Sequence, residues 1–462
     1  MSETTAPSVV VIGGGITGLA AARRLGDAGA SFLLLEASHR LGGKIVTERT
    51  GGFTIEGGPD CFLASKPDGV GLVRQLGLEG RLCTTDPAHR GTFVRRGDTL
   101  HRLPEGLTGL VPTRIVPLLT TRTLSLLGRA RAGLEALLPS RPATGDETIA
   151  AFARRRFGRE AYDWLIEPLL SGIYAGDGEQ LSLAATFPIL AQLERSSGSV
   201  LRAMAQRRRP GPAGGFVTLT GGLGELVDAL ARRLPRDRIR LDAPVTAIER
   251  SGAAYRVRTA DGSMIACGRV IVALPAPAAA RVIAPLDARI ERELAGIPFV
   301  TTATVSLGFA PGAVGQGLHG YGFVSPRAAG GPVVAGTWTS NKFPERVPLA
   351  GTLVRFFLGR AGHEGVTDQA DDQLIALART ELRRLCGVTA TPALARVYRW
   401  PRSMPQYVVG HLERLERLDR LLRGVPGLLL AGASYRGVGI PDCIASGWAA
   451  AGSALEQLGA AA

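Results

Sequence analysis

Short, wholly apolar segments separated by turns open the chain and predict the start of a β-α-β unit. Residues 8–12 form an apolar run typical of a buried strand, and a glycine-rich turn follows at residues 13–18. Helical spacing of apolar residues predicts a helix over residues 19–25, and the next apolar run, residues 31–35, ends at Glu36. Strands that are apolar at every position are typical of a parallel sheet covered on both faces.

Alternation of apolar and polar positions takes over after residue 302 and predicts an antiparallel sheet that is covered on one face. Its strands are expected at residues 302–309, 321–324, 333–339, 353–358 and 394–400. Between these regions, the middle of the chain has helical patterns, at residues 107–138, 150–156 and 160–170. The same reasoning predicts a parallel strand at 270–274, a buried strand at 428–430, a helix at 443–458, and a hairpin turn at Asp261-Gly262.

Composition and charge narrow the class of protein only a little. The chain has 462 residues, which predicts two or three domains of roughly 100–200 residues each. Its formal net charge is +14, and this fits either a solvated arginine-rich surface or attraction to an anionic substrate, membrane or nucleic acid. Because no nucleic-acid-binding module accompanies the charge, we predict that nucleic acid is not a partner.

The cysteines and the N-terminus bear on location. The cysteines are far apart and odd in number, which excludes a disulfide framework or a zinc site: Cys61, Cys83, Cys267, Cys386 and Cys443. The N-terminus does not resemble a signal peptide, and no apolar run reaches the roughly 18 residues that span a bilayer. We therefore expect a cytoplasmic protein without a bound metal.

The glycine-rich turn carries the first sign of chemistry. Gly13-Gly14-Gly15-Ile16-Thr17-Gly18 has the G-x-G-x-x-G spacing between a strand and a helix. Such glycines allow a tight turn, a close approach of the backbone to a diphosphate, and packing of the helix on the strand. Glu36, at the end of the next strand, is placed to bind a ribose diol. The pattern predicts a dinucleotide site.

Two further glycine turns favour FAD over NAD. Arg40-Leu41-Gly42-Gly43 brings the backbone past the diphosphate a second time, with Arg40 and Lys44 as nearby cations. Near the C-terminus, Gly432 ends an apolar strand, and Gly437-Val438-Gly439-Ile440-Pro441-Asp442 precedes a helix. The positive end of that helix would lie near the flavin ring. Asp442 is either the N-cap of the helix or a ligand of the ribityl chain.

These residues resemble the protoporphyrinogen/coproporphyrinogen III oxidases, a family within the flavin monoamine-oxidase superfamily. The resemblance covers nearly the whole chain. Its most specific parts are residues 171–177, Trp400-Pro401 with Pro405-Gln406-Tyr407, and residues 437–443. The resemblance implies non-covalently bound FAD, with these further contacts beside the glycines, Glu36 and Lys44: Ala37, Gly58, Pro59, Asp60, Cys61, Val245, Trp400, Val438, Gly439 and Ile440.

The resemblance implies the reaction as well. It is the oxidation of a porphyrinogen by O₂ in heme biosynthesis, with hydride passing from meso carbons to flavin N5 and H₂O₂ released. No side chain is predicted to act as a catalytic acid or base. By similarity, Lys66 binds a propionate and Gly172 faces the macrocycle; an ordinary exposed lysine and a helix-packing glycine are the alternatives. Lys66 and residues 431–444 favour coproporphyrinogen III as the substrate, with protoporphyrinogen IX as the alternative.

The expected architecture is an α/β (α+β) fold in three regions. Residues 1–65, 215–292 and 425–462 form a Rossmann-like FAD-binding domain, and residues 66–105 and 293–424 form a substrate domain on the antiparallel sheet. Residues 106–214 form a helical insertion. This insertion is a candidate surface for peripheral contact with the inner face of the cell membrane, or for transient contact with the next enzyme of the heme pathway.

Two other classes of function stay open. A flavin amine oxidase or a carotenoid desaturase would share the glycine turns, although a basic pocket would oppose a cationic amine. A flavin-bearing scaffold in heme trafficking would bind FAD without turnover. Release of peroxide with porphyrinogens rather than with amines would distinguish a porphyrinogen oxidase from an amine oxidase. Reduction of the flavin by a porphyrinogen would distinguish an enzyme from a scaffold.

Overall fold

The structure is a computed structural model of the chain. It describes residues 6–104, 107–108, 111–112, 120–140, 145–206, 215–315 and 317–459. The chain folds into a mixed arrangement of helices and sheets, which confirms the predicted fold class.

A five-stranded parallel sheet contains the first strands of the chain. Its order is Ile239–Arg240, Phe32–Leu35, Val9–Ile12, Arg269–Val272 and Leu428–Leu430. Every neighbouring pair is parallel, which confirms the predicted β-α-β beginning and the parallel strand near residue 270. Alternate residues of Val9–Ile12 enter different cores on the two faces of the sheet, so all four are buried.

Helices cover both faces of the parallel sheet. One face packs against Ile16–Asp27, Pro67–Gln75, Gly224–Arg233 and Ile440–Gly459. The other face packs against Ala276–Ile283, Ala288–Ala295 and His411–Arg423, and against a three-stranded antiparallel sheet of Val245–Ser251, Ala254–Thr259 and Met264–Cys267. The predicted hairpin turn at Asp261-Gly262 joins the last two of these strands and is confirmed.

A seven-stranded sheet forms the second half of the molecule. Its order is Leu394–Pro405, Phe299–Phe309, Thr352–Leu358, Val333–Trp338, Gly322–Val324, Phe93–Arg96 and Thr99–Arg102. Helix Asp371–Cys386 packs on one face. The predicted antiparallel sheet is confirmed, with two additions: the sheet recruits two strands from residues 93–102, and the pair Gly322–Val324 and Phe93–Arg96 is parallel.

Smaller sheets connect these two halves. Thr47–Thr50 pairs with Phe53–Glu56, and Phe216–Leu219 pairs with Phe62–Leu63 and Leu82–Thr84.

A cluster of helices packs beside the large sheet around its own core. Its helices are Leu126–Gly133, Ile149–Phe157, Glu167–Tyr174, Pro188–Ser197 and Val200–Gln206, with short helical turns at Arg159–Ala161, Tyr162–Ile166 and Leu183–Thr186. The start of the predicted helical region is wrong, because Leu107–Thr108 and Val111–Pro112 pair as a small antiparallel hairpin. The basic stretch 207–214 lies outside the described residues.

Two helices begin earlier than the sequence pattern predicts. The first begins at Ile16 rather than residue 19, and the last begins at Ile440 rather than residue 443. In both cases the helix starts inside the glycine turn, which apolar spacing alone does not reveal. None of the described helices is long and apolar enough to cross a membrane. The division into three regions stays a proposal; the strands of the parallel sheet all come from the three segments assigned to FAD binding.

Candidate functional site

The first glycine turn lies at the N-terminus of helix Ile16–Asp27. Gly18 packs the helix on the strand, because a Cβ atom at Gly18 would lie 1.8 Å from the carbonyl oxygen of Gly13. Gly15 is the N-cap of the helix, and a Cβ atom there would meet no atom of the described residues within 4 Å. The positive end of the helix therefore opens onto space that a diphosphate can occupy.

Glu36 and the second glycine turn lie directly against the first. One carboxylate oxygen of Glu36 accepts a hydrogen bond from the Gly14 amide at 2.6 Å. The other accepts bonds from the amide of Ser38 at 2.9 Å and from its hydroxyl at 2.8 Å. The Gly42 amide donates to the Gly14 carbonyl at 2.8 Å. Ala37 is exposed just beyond Glu36. The first glycine turn, Glu36 and the second glycine turn, all predicted to contact the cofactor, thus meet at the carboxyl ends of the parallel strands.

The side chains of Arg40 and Lys44 both donate hydrogen bonds to backbone carbonyl oxygens. The Arg40 guanidinium donates to the carbonyl oxygens of Leu41, Gly43 and Ile45, and so supports the bend. Lys44 donates to the carbonyl oxygen of Ser403 in the large sheet, and burial lowers the pKa of its ammonium group. Their contact with a cofactor remains a prediction.

The Gly57–Cys61 segment is fixed to the large sheet by hydrogen bonds to one carbonyl oxygen. Gly57 accepts from Trp400 Nε1 at 2.9 Å, from Thr304 Oγ1 at 3.1 Å and from Arg355 Nη2 at 3.1 Å. These three side chains come from three adjacent strands. A Cβ atom at Gly58 would lie 1.8 Å from the Lys44 carbonyl oxygen, so the two predicted cofactor segments are in direct backbone contact.

A buried charged cluster continues this segment. Lys342 Nζ lies 3.0 Å from Asp60 Oδ2 and 3.2 Å from Cys61 Sγ. Burial alone would raise the pKa of Asp60, but the charges of Lys342 and Arg355 outweigh it and hold that pKa well below its ordinary value. Burial, with the neighbouring Asp60, raises the pKa of the Cys61 thiol to about 12, so the thiol is neutral.

Sequence reasoning missed Lys342, Thr304 and Arg355. One signal was present for Arg355, because it is a charged residue inside the otherwise apolar strand Thr352–Leu358. Lys342 and Thr304 stand more than 240 positions from their partners, and no local pattern marks them.

The C-terminal glycine turn completes the candidate site. Gly439 is the last residue before helix Ile440–Gly459, and its amide donates to Asp442 Oδ2 at 3.2 Å. The N-cap assignment of Asp442 is therefore wrong, because Asp442 lies in the first turn and its carboxylate bonds back to the residue before the helix. A Cβ atom at Gly432 would lie 3.6 Å from Thr17 Oγ1, which brings this turn to the first glycine turn.

Lys66 and Gly172 are the two predicted substrate residues. Lys66 Nζ lies 2.6 Å from both carboxylate oxygens of Asp442, and 44% of the Lys66 side chain is exposed. Gly172 is exposed on helix Glu167–Tyr174, and a Cβ atom there would make only an ordinary contact, 3.5 Å from Val324. Close helix packing therefore does not explain Gly172.

Two more predicted cofactor residues occupy the edges of the site. Val245 is half-buried at the start of its strand, and the nearby Ala243 amide donates to the Glu36 carbonyl at 2.9 Å. Val438 is partly buried against the core of the helical cluster. Among the residues that the structure describes, no three metal-binding side chains lie together. The open helix N-terminus, the crossing glycine backbones and the Glu36 carboxylate at the end of the next strand fit an extended dinucleotide such as FAD.

Comparison with known proteins agrees with this geometry. The sequence matches the family of flavin-containing amine oxidoreductases over residues 16–455. It is 39% identical to a coproporphyrinogen III oxidase of Bacillus subtilis, over 97% of this chain and 98% of that protein. It is 30% identical to the chloroplastic protoporphyrinogen oxidase 1 of Arabidopsis thaliana, over 96% of this chain and 86% of that protein. The crystal structure of a candidate protoporphyrinogen oxidase from Exiguobacterium sp. 255-15 is similar at a TM-score of 0.87 and 35% identity, covering 97% of this chain and 99% of that one.

Proposed function

Because this chain belongs to the flavin-containing amine oxidoreductases, and within them to the porphyrinogen oxidases, we propose that it converts coproporphyrinogen III to coproporphyrin III with O₂. The chain is an oxygen-dependent oxidoreductase, and its cofactor is FAD. The observation that carries the choice of substrate is full-length similarity to a coproporphyrinogen III oxidase at 39% identity, against 30% for the chloroplastic protoporphyrinogen oxidase 1 and 35% for the candidate protoporphyrinogen oxidase of known structure. Protoporphyrinogen IX is the second candidate.

In this proposal the chain's own residues bind and orient the reactants, and FAD, when bound, would supply the two-electron oxidation with O₂ as the final acceptor. The N-terminus of helix Ile16–Asp27 would hold the diphosphate, and Glu36 would hold the ribose diol. The C-terminal turn, where the Gly439 amide donates to Asp442, and the Gly57–Cys61 segment, where Gly57 accepts from Trp400, would hold the flavin end. The proposal gives no side chain the role of a catalytic acid or base.

The substrate contacts come from two sides of the proposed pocket. Coproporphyrinogen III carries four propionates, so a cation at the rim stabilises it. The ammonium group of Lys66 is half-exposed beside the flavin turn. Gly172 and the neighbouring Ile173 are both exposed and carry no polar side chain, which suits contact with an apolar macrocycle.

Location and partners belong to the same proposal. All five cysteines are described, and all are free thiols, which supports a reducing cytoplasm. Contact of the helical region with the membrane surface or with the next enzyme of the pathway stays a hypothesis.

Anaerobic mixing with two porphyrinogens tests the choice of substrate. We expect loss of the oxidised flavin absorbance with both coproporphyrinogen III and protoporphyrinogen IX, and a faster rate with the first. Stopped-flow absorbance gives both rates on the same enzyme. A faster rate with protoporphyrinogen IX would transfer the assignment to the second candidate. Reduction by primary amines alone would instead point to an amine oxidase.

Replacing Lys66 with alanine tests the rim cation. We expect Lys66→Ala to raise KM for coproporphyrinogen III about tenfold and to change kcat less than about threefold, because a rim contact binds the ground state and the transition state alike. In the variant the Asp442 carboxylate also loses its cation, and its uncompensated negative charge repels an anionic substrate. Steady-state kinetics with oxygen uptake gives both constants.

Arg74→Ala is the matched control for this prediction. Arg74 lies on the helix that follows Lys66, in an exposed ion pair with Glu79. We expect its KM to equal that of the wild type. A KM that is unchanged in Lys66→Ala would remove Lys66 from the substrate site.

A further inference from the structure

A buried tyrosine holds the C-terminal turn from both ends. Tyr407 is fully buried, and its hydroxyl donates to the carbonyl oxygen of Ala433 at 2.5 Å. The same hydroxyl accepts a hydrogen bond from the Gly437 amide at 2.9 Å. Residues 433 and 437 are the ends of a five-residue turn inside the connection, residues 431–439, between strand Leu428–Leu430 and the C-terminal helix. One hydroxyl therefore sets the separation between the two ends of this turn.

His411 holds the middle of the same turn. Its ring stacks on Tyr407 with centroids 4.3 Å apart and planes 15° apart. His411 Nε2 lies 2.9 Å from the carbonyl oxygen of Tyr435. Burial lowers the pKa of His411, so the ring is neutral near neutral pH. Because a carbonyl oxygen can only accept, the hydrogen lies on Nε2, which donates the bond to Tyr435. Two side chains thus bind three backbone groups of a five-residue turn.

The segment that carries these side chains is also attached to the helix that bears Gly172. Gln406 Nε2 donates to the Tyr174 carbonyl oxygen at 2.9 Å. The Tyr174 ring meets the Tyr407 ring edge-on, with centroids 6.2 Å apart. Residues 406–411 therefore touch both the proposed substrate helix and the proposed flavin turn.

We propose that Tyr407 and His411 are positioning residues: by fixing the turn 433–437, they place the predicted FAD contacts on either side of it, Gly432 before it and Val438 and Gly439 after it, in the conformation that binds the flavin. This inference rests on the proposed contact of the C-terminal turn with FAD. A turn held in its binding conformation before the ligand arrives binds more tightly, because a partly populated conformation lowers the apparent affinity by its population. Removing the Tyr407 hydroxyl leaves the Gly437 amide and the Ala433 carbonyl oxygen without their buried partner, and the turn then relaxes.

Titration of the apoprotein with FAD tests this role without any substrate. We expect Tyr407→Phe to raise the FAD dissociation constant about tenfold. His411→Phe keeps a ring for stacking but loses the bond to Tyr435, and we expect a rise of about threefold. Quenching of flavin fluorescence gives the constants, and visible circular dichroism reports the environment of the bound flavin, which we expect to change in both variants.

Tyr255→Phe is the matched control. Tyr255 is also buried, and its hydroxyl donates to the carbonyl oxygen of Pro426 at 2.6 Å, just before strand Leu428–Leu430. This hydrogen bond holds the chain just before the N-terminal end of strand Leu428–Leu430, whereas the turn 433–437 follows the C-terminal end. We expect Tyr255→Phe to lower the thermal midpoint of the apoprotein as Tyr407→Phe does, and to change FAD affinity less than about twofold.

The outcomes separate this inference from the proposed function. Wild-type affinity in Tyr407→Phe, or an equal loss in Tyr255→Phe, would overturn the positioning role. If Tyr407→Phe does not fold, His411→Phe decides alone, and unchanged affinity there overturns the role. Because the titration contains no porphyrinogen, these results stand whichever porphyrinogen the enzyme oxidises.

Discussion

Replacing Gly15 with alanine is expected to abolish FAD binding and to leave the protein folded. The backbone of Gly15 has φ −69° and ψ 177°, an extended conformation that alanine adopts without strain. The added Cβ would meet no described atom within 4 Å, so it projects into the space above the helix N-terminus. A diphosphate must approach the backbone closely there to bind the helix amides, and a methyl group prevents it.

The measurement is the ratio of FAD to protein after reconstitution, together with the thermal midpoint of the apoprotein. We expect a colourless Gly15→Ala protein with the midpoint of the wild-type apoprotein. Gly71→Ala is the matched control, since its Cβ also meets no described atom within 4 Å but lies in helix Pro67–Gln75. That variant should bind FAD normally and be about 1 kcal/mol more stable, because alanine favours a helix interior.

Gly18→Ala provides the contrast. Its Cβ would lie 1.8 Å from the Gly13 carbonyl oxygen, so we expect this variant to lose stability as well as FAD. A Gly15→Ala protein that takes up a full equivalent of FAD would contradict the placement of the diphosphate at this helix.

The parts of the fold that the sequence predicted are those encoded within a few residues. An apolar run such as Val9–Ile12 reports burial on both faces, and Asp261-Gly262 reports a hairpin turn. The glycine spacing of residues 13–18, with Glu36 after the next strand, predicts a dinucleotide site because each glycine has its own steric reason. Local patterns of this kind do not depend on the rest of the chain.

The parts that the sequence could not predict depend on distant segments. Lys342 donates a hydrogen bond to Asp60, which is 282 positions away in the sequence, and Arg355 donates to Gly57, which is 298 positions away. The strands Phe93–Arg96 and Thr99–Arg102 join one end of a sheet whose other strands begin only at Phe299. The sequence did not predict the first turns of the helices at Ile16 and Ile440, because residues of a glycine turn do not show helical spacing of apolar positions. Long-range pairing of this kind is a property of the fold rather than of any local segment.

One such pairing joins the two halves of the molecule, and its loss is expected to destabilise the protein strongly. Arg346 is 1% exposed and lies between strands Val333–Trp338 and Thr352–Leu358 of the large sheet, and its Nη1 donates to Glu56 Oε1 at 2.8 Å. Glu56 also accepts from the Leu223 amide at 2.7 Å, directly before a helix on the parallel sheet. Gly57 and Gly58 follow Glu56 immediately, so this ion pair also anchors the start of the proposed flavin segment.

Arg346→Met is expected to lower the free energy of unfolding by about 3–5 kcal/mol, because it leaves the Glu56 carboxylate buried without a cation. Urea denaturation followed by tryptophan fluorescence measures the change. Arg74→Met, which breaks the exposed pair with Glu79, should cost at most about 1 kcal/mol. In the double variant Glu56→Gln/Arg346→Met, the amide oxygen still accepts from Leu223 and no charge is buried, so more than half of the loss should be recovered.

The pH dependence of this loss gives an independent check of its cause. Burial already raises the pKa of Glu56 above its ordinary value, although Arg346 opposes the shift. Removing Arg346 raises that pKa further, so the folded variant binds the Glu56 proton more tightly than the unfolded chain does. Stability then falls as the pH rises through the raised pKa, and the loss should be smaller at about pH 5.5 than at about pH 8. An equal loss at both values would mean that packing around Arg346, rather than its charge, holds the two halves together.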